Sequence, residues 1–486
     1  MANFNWNNQM LVTGGQLQQA SLALFGPGSG TEPLNDSGRL WTLLGHTLVA
    51  RGYLSQSLLC FQSALACEPG LVGVEGIRGL VLFKLGRTEE AMAAYMAALA
   101  QDPMDADVWL NLGVLYQSAG CPAEALSCFE TVLLQRPGFV AAWKNRAKVL
   151  SAVGDFEGAL VSFNAAEMLS PNDRMLRVDR AMCLLMLGDF DAGWTAYESR
   201  LHMGAEPRIQ TDRWPLWQGE TVAGRQMLVL AEQGIGDIIQ FARYIDGLNR
   251  LGAEVTLRVC ERLVPLLSGL VHCCRLVTDL GPDAHFDFEI PLMSLPHRLA
   301  LGAIVPPDPI RYITAASDHV WFWERRLQPG GEGLRVGITW QGNRAFYDDA
   351  RRSVPLETFG VLADVPGVRL ISLQDQSETA DLIASGLPIE HLGDDVDRDG
   401  AFLDTAAILE NVDLLITSDT AIAHLAGAMG RPVWLALANV PDWRWGMSGE
   451  TTPWYPTMRL FRQTTEGDWA GVFEAIRVAL TEEVRR

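Results

Sequence analysis

The 486-residue sequence contains no apolar run of transmembrane length, and its first residues, MANFNWNNQM, lack the basic stretch and apolar core of a secretory signal. The expectation is a cytoplasmic protein. Positive charge is also short: 38 Lys and Arg against 58 Asp and Glu leave a formal charge of −20. That argues against nucleic acid or an anionic membrane as the main partner. There are eight histidines with no HExxH-type spacing, and no CxxC among eight cysteines. Neither a metal nor a disulfide framework is implied. Cys60, Cys67, Cys121, Cys128 and Cys183 fall at helical positions between apolar residues and read as reduced core thiols. A chain that is 48% hydrophobic and 20% charged is globular and long enough for about two to four domains.

What is present begins with a period. Gly52, Gly86, Gly120, Gly154 and Gly188 recur every 34 residues. Around them the same frame repeats: Trp41, Trp109 and Trp143; Ala91, Ala125 and Ala159; Phe61, Tyr95, Phe129 and Phe163; Pro69, Pro103, Pro137 and Pro171. This helix–turn–helix period resembles the tetratricopeptide repeat. Gly15, Ala20 and Leu24 fit a degenerate first unit ending in the loop Gly26 to Gly30, and the unit with Trp194 and Tyr197 drifts, as a cap would. Residues 1–207 are therefore expected to form a solenoid of about five to six repeats, its Trp and Phe positions in the core and its concave face open to an extended polypeptide.

Alternating strands and helices follow. Gln226 to Ala231 reads as a buried strand running into Glu232-Gln-Gly-Ile-Gly-Asp237, a helix from about Ile238 to Leu251 and a strand Ala253 to Val259. Gly234 and Gly236 would let the backbone turn sharply and approach a bound group. Asp237 is either a helix cap or a general base. After a Pro/Gly-rich break at Gln328 to Gly333 come a strand Arg335 to Trp340, a loop to Val354, and a strand Val368 to Leu373 ending at Gln374. The loop's Arg344, Arg351 and Arg352 are either solvated or an anion clamp.

The stretch Asn411 to Pro432 gives a strand over Val412 to Thr417, N-capping residues Ser418 and Asp419, and a helix from Thr420 to Met429 closed by Gly430. Such a turn presents unpaired amides to an anion, although an ordinary capped βα unit has the same sequence. His424 falls one turn after Thr420 and either packs or reaches that anion. Trp443, Trp445, Trp454 and Tyr455 read as packing residues in preference to sugar-stacking ones. The fold class is α + α/β, with two Rossmann-like domains at 208–330 and 331–486.

The blocks Ala231 to Asp237, Trp340 to Asn343, Arg352-Ser353, Ser372 to Gln374, Asp404 to Ala406, Ser418 to Thr420 with Ala423 to Gly427, Pro441 to Trp445, Pro453 to Pro456 and Arg459 to Gln463 carry a resemblance. From about Trp214 to Ala479 the chain resembles the glycosyltransferase half of bacterial tetratricopeptide-repeat glycosyltransferases. These are similar to lipopolysaccharide heptosyltransferases and, more distantly, to O-linked N-acetylglucosamine transferase. The resemblance implies a metal-independent GT-B pair of lobes, the first on the acceptor side and the second holding a nucleotide sugar. Asp237 would be the base and Arg352 a cation near the leaving phosphate. Ser418, Asp419, Thr420 and His424 would contact the donor, and Gln374 would lie near the nucleoside. The sequence departs from the family at Phe346, Ala350 and Asp375, where His, Arg and Lys are common. The implied activity is sugar transfer to Ser/Thr of a protein captured by the repeats, with flagellin a plausible acceptor. A non-catalytic adaptor and a glycan or lipid acceptor are the alternatives.

Overall fold

The computed structural model describes residues 37–202, 211, 213–299, 311–328, 333–345, 349–375, 379–393 and 395–485. Gly15, Ala20, Leu24, the loop at 26–30, Pro207 and Phe346 lie outside them. The chain divides into two compact units, Met1–Val149 and Leu150–Arg486.

In the first unit the helices α1 (Ser37–Ala50), α2 (Leu54–Cys67), α3 (Val74–Lys84), α4 (Thr88–Gln101), α5 (Ala106–Ser118) and α6 (Pro122–Gln135) pair as α1/α2, α3/α4 and α5/α6. The 34-residue glycines make the turns: Gly52, Gly86 and Gly120 take φ of +79°, +76° and +72°. A residue without Cβ occupies this left-handed position at no steric cost and ends the helix before it. A second glycine series seats the aromatic of each pair. A Cβ on Gly45, Gly79 or Gly113 would meet the ring of Phe61, Tyr95 or Phe129 at 2.6, 2.6 and 2.5 Å. Those three rings are fully buried. The tryptophans differ from the expectation of full burial. Trp109 and Trp143 are half-buried, and each donates its indole N–H at 2.9 Å to the carbonyl of the proline before its helix, Pro103 or Pro137.

Helix α7 (Val140–Ala152) leads into the second unit, which opens with α8 (Phe156–Leu169), α9 (Arg174–Met186) and α10 (Phe190–Tyr197). Gly154 and Gly188 repeat the left-handed turn at φ +86° and +80°. Trp194 and Tyr197 do cap: Trp194 meets Phe241 and Trp443 edge-on at 5.7 and 5.3 Å.

Two parallel sheets follow. The first, in the order β3-β2-β1-β4, contains β1 (Gln226–Leu230), β2 (Glu254–Arg258), β3 (Arg275–Val277) and β4 (Phe288–Pro291). The second holds β5 (Leu334–Thr339), β6 (Val368–Ser372), β7 (Ile389–Glu390), β8 (Leu414–Ser418), β9 (Val433–Leu437) and β10 (Met458–Arg462), in the order β10-β9-β8-β5-β6-β7. Read from β7, that is the doubly wound order in which the chain reverses between β5 and β8. The first sheet reverses in the same way between β1 and β4. The central strands β8 and β9 are apolar runs buried on both faces or nearly so, as the middle of a parallel sheet requires.

Three details differ from the sequence reading. The helix after β1 starts at Ile235 and breaks into 3-10 geometry at Ala242–Tyr244, so it is not one helix from Ile238. The N-cap after β8 is Thr420, ahead of α12 (Ala421–Ala428), because β8 runs on through Ser418. Cys60, Cys128 and Cys183 are buried, but Cys67 is exposed at the end of α2 and Cys121 half-exposed at a helix start, so those two are not core. Gly430, at φ +68°, ends its helix as expected.

The seating of rings on glycine gives a direct test. Gly113→Ala should destabilise the chain by about 1–3 kcal/mol through overpacking against Phe129. Gly138→Ala, facing open space, should stay within about 0.5 kcal/mol. Scanning calorimetry of the two variants distinguishes them.

Candidate functional site

The carboxyl ends of β1 and β8 both run into tight turns and helices, and the two turns meet. Helix α11 (Ile235–Phe241) follows β1 and packs on α12. Their contact is close because of Gly236: a Cβ there would lie 3.1 Å from Cδ2 of His424 and 3.3 Å from the Cα of Ala421. Gly236 thus serves helix approach. The sharp bend is taken by neither glycine. Gln233 adopts φ +64°, a left-handed conformation uncommon outside glycine, while Gly234 is extended at φ −81°. Strain of this kind collects at functional sites.

Asp237 is the third residue of α11. Its Oδ2 accepts the Gly234 N–H at 2.9 Å, which is the N3 half of a capping box, since Gly234 has no side chain to return the bond. Its Oδ1 pairs with Nη2 of Arg444, which comes from the loop after β9 in the other lobe. Arg444 also donates from Nη1 to Asp442 at 2.9 Å and from Nε to Gln240, and its guanidinium lies over Trp443 at 4.5 Å. Only 9% of its side chain is exposed. Asp442 and Asp237 hold it charged despite the burial that opposes the charge.

On the β8 side Ser418 is fully buried, and its Oγ has no hydrogen-bond partner among the described residues. Asp419 is pushed up to about 7, first by burial and then by the charge of Asp442, with a hydrogen bond from Trp445 and the charges of Arg352 and Arg444 pulling the other way. Thr420 spends no side-chain bond on capping, and its hydroxyl faces that of Thr417 at 3.4 Å. His424 is buried, stacked on Trp445 at 5.3 Å, with Nδ1 2.9 Å from the Tyr455 hydroxyl. Burial, then the charges of Arg444, Arg243 and Arg352, hold its imidazole well below the ordinary range, so it is neutral. Trp443, Trp445, Trp454 and Tyr455 are buried, in keeping with their packing role.

The three loop arginines separate. Arg352 sits on Asp349 at 3.2 Å and close enough to bear on Asp419 and His424. Arg344 turns to Asp381 at 3.3 Å and Arg351 to Glu466 at 4.0 Å. Gln374 occupies the end of its strand, but its amide is engaged with backbone: Oε1 accepts from Trp340 and Gln341 at 3.0 and 3.1 Å, and Nε2 donates to the Gln341 carbonyl at 3.0 Å. It shapes the mouth of β5.

Sequence reasoning missed Arg444, Gln233 and a buried polar cluster behind the turn. Arg200, just past the last repeat, grips Glu232 bidentately at 2.6 and 3.0 Å and donates to Ser294 at 2.9 Å. Glu232 also accepts the Met293 N–H at 2.9 Å. One signal was available: no lysine occurs after Lys148, so in the second unit any permanent side-chain cation is an arginine.

One comparison bears on the repeats. A family model described as TPR repeat matches residues 79–120. The chain is 29% identical to Protein FlbA of Caulobacter vibrioides over 319 residues, 60% of this chain and 52% of FlbA. It thus spans about half the length of that relative. Among solved structures it is similar to PilF of Pseudomonas aeruginosa, with 18% identity and a TM-score of 0.34 over 35% of this chain and 78% of that one. It is also similar to MamA, with 12% identity and a TM-score of 0.32 over 35% and 92%. The chain contains tetratricopeptide repeats, has a relative in FlbA and carries a parallel-sheet α/β region after its repeats. Among the described residues no helix is long and apolar enough to cross a membrane.

Asp419 makes the stability of the second unit depend on pH. Its folded value near 7 lies above the ordinary 3.8. Between those values the unfolded chain has lost the proton that the folded chain keeps, so stability falls as pH rises through this window. Asp419→Asn should flatten that slope in urea titrations from pH 4 to pH 8, and an unchanged slope would remove the assignment.

Proposed function

We propose that the chain is a cytoplasmic glycosyltransferase that moves a sugar from a nucleotide-sugar donor to a Ser/Thr hydroxyl of a protein held by the repeats, flagellin being a candidate acceptor. One observation carries the reading: the helices that start at the Asp237 turn and at the turn with Ser418, Asp419 and Thr420, at the mouths of two parallel sheets, are in contact through Gly236, Ala421 and His424, and Arg444 from the second sheet's loop pairs with Asp237. Open α/β sheets bind ligands at such mouths.

The acceptor oxygen attacks the sugar's anomeric carbon. The bond from that carbon to the leaving phosphate breaks, its electron pair goes to the phosphate, and the hydroxyl proton goes to the Asp237 carboxylate. Negative charge then grows on the phosphate. Arg352, the free amides at the start of α12 and the unpartnered Ser418 hydroxyl oppose it. Asp419 contributes in its protonated form, which its raised value keeps populated near neutral pH: a protonated carboxyl donates to a phosphate oxygen, whereas an ionised one repels it. The repeats add orientation by fixing the acceptor chain. Gln374 supports the nucleoside end by holding the backbone of Trp340 and Gln341.

A second reading, a non-catalytic adaptor, is favoured by one fact: both oxygens of Asp237 already have partners. Calorimetry with nucleotide sugars separates the two, since a site without a donor gives no heat. In the transferase reading, Asp237→Asn abolishes transfer while donor still binds, and Arg352→Ala weakens donor binding by about tenfold, the worth of one charge-assisted contact. Intact mass of flagellin and other surface proteins from cells with and without the gene tests the acceptor. An unchanged mass across the candidates would sink the transfer.

A further inference from the structure

We propose that Arg444 changes partners when the donor arrives: its hold on Asp237 passes to the leaving phosphate, so the carboxylate is released for proton transfer only once the donor is seated. This rests on the transferase reading and adds a regulation of the same site.

Arg444 is placed for the exchange. It reaches across the lobes to Asp237 and Gln240, yet keeps Asp442 at 2.9 Å on its own loop. Losing Asp237 therefore does not strand a buried charge. The Trp443 ring, 4.5 Å from the guanidinium carbon, holds the group in place while its partners change. Its charge bears on Asp419 and His424, so an anion at the mouth of β8 lies within its field.

A buried group without a partner marks where that anion would sit. The Ser418 hydroxyl is buried and has no hydrogen-bond partner among the described residues. Buried polar groups are seldom left unsatisfied, and a functional role is one reason for the exception. Ser418 ends β8, and the charge of Arg444 reaches the next residue, Asp419. A diphosphate brings two charges and two acceptor oxygens against the single charge of Asp237, and a guanidinium fork suits it.

The exchange couples Asp237 to nucleotide affinity in a direction that a structural ion pair would not. UDP, GDP, CDP, ADP, dTDP and CMP are titrated by calorimetry into the full chain, the Asp237→Asn, Arg444→Gln and Arg444→Lys variants, and the double variant Asp237→Asn/Arg444→Gln. Melting curves confirm that each is folded. The expected result is about three- to tenfold tighter binding by Asp237→Asn, because a competitor for Arg444 is gone, and no such gain in the Arg444→Gln background. Arg444→Lys, with a single point of charge, should bind more weakly than wild type. Unchanged or weaker binding by folded Asp237→Asn, or a gain that survives in the double variant, overturns the exchange and leaves the transferase reading standing. If no nucleotide binds either wild type or Asp237→Asn, the transferase reading fails and the exchange fails with it.

Discussion

A guanidinium stripped of most of its water has to be surrounded by carboxylates, and Arg444 is that guanidinium. Its two ion pairs are not interchangeable: Asp442 is a neighbour on its own loop, whereas Asp237 belongs to the other sheet, 207 residues away in sequence. With Asp442 in place the loss of Asp237 leaves the guanidinium compensated, whereas the loss of both would leave a buried charge without a partner. The contact of the two lobes and the charge state of the site are therefore one problem. Gly236 answers its steric side by letting α11 approach Ala421 and His424. Asp419, raised by burial, and His424, lowered by it, answer the electrostatic side: next to arginine the imidazole is neutral and the carboxyl keeps a protonated form near neutral pH.

Behind this contact a second buried charge fixes the turn itself. Arg200 closes on Glu232 one residue before the left-handed Gln233, so the strained bend is braced from the last helical repeat. Glu198, Ser294 and Arg298 complete the cluster, with Ser294 donating to Glu198 at 2.7 Å and Arg298 at 3.2 Å. Every charge there has a mate, which is what makes a polar cluster tolerable inside a protein.

The features legible in the sequence were those set by local rules. A glycine every 34 residues means a left-handed turn every 34 residues, because no other residue takes that conformation freely. All five glycines do so. Apolar runs gave β1, β2, β5, β6 and β8 within about two residues, whereas β3, β4, β7, β9 and β10 were not read from the sequence. Thr420 took the cap in place of Ser418 and Asp419 because the strand, once paired with β9 through Ser418, could not end sooner. Arg444 was invisible for a different reason. The block Pro441 to Trp445 was noticed for its aromatics, but what makes its arginine matter is a carboxylate in another sheet, and nothing in local spacing encodes that. The same holds for Arg200 and Glu232. Gln374 was found at the right strand end, yet whether an amide meets a ligand or its own backbone depends on the neighbouring strand's register.

The glycine seats beneath Phe61, Tyr95 and Phe129 also bear on how the chain is born. Each ring meets a glycine sixteen residues earlier, so a repeat can close almost as soon as its second helix has been made. Parallel strands such as β5 and β8, with their long crossovers, and the lobes that meet through Asp237 and Arg444 must wait for most of the polypeptide. Chains rich in nearby contacts fold orders of magnitude faster than those built from distant ones. Synthesis thus delivers the quick-folding end first, and the slow sheets then form on a molecule whose leading part is already solid.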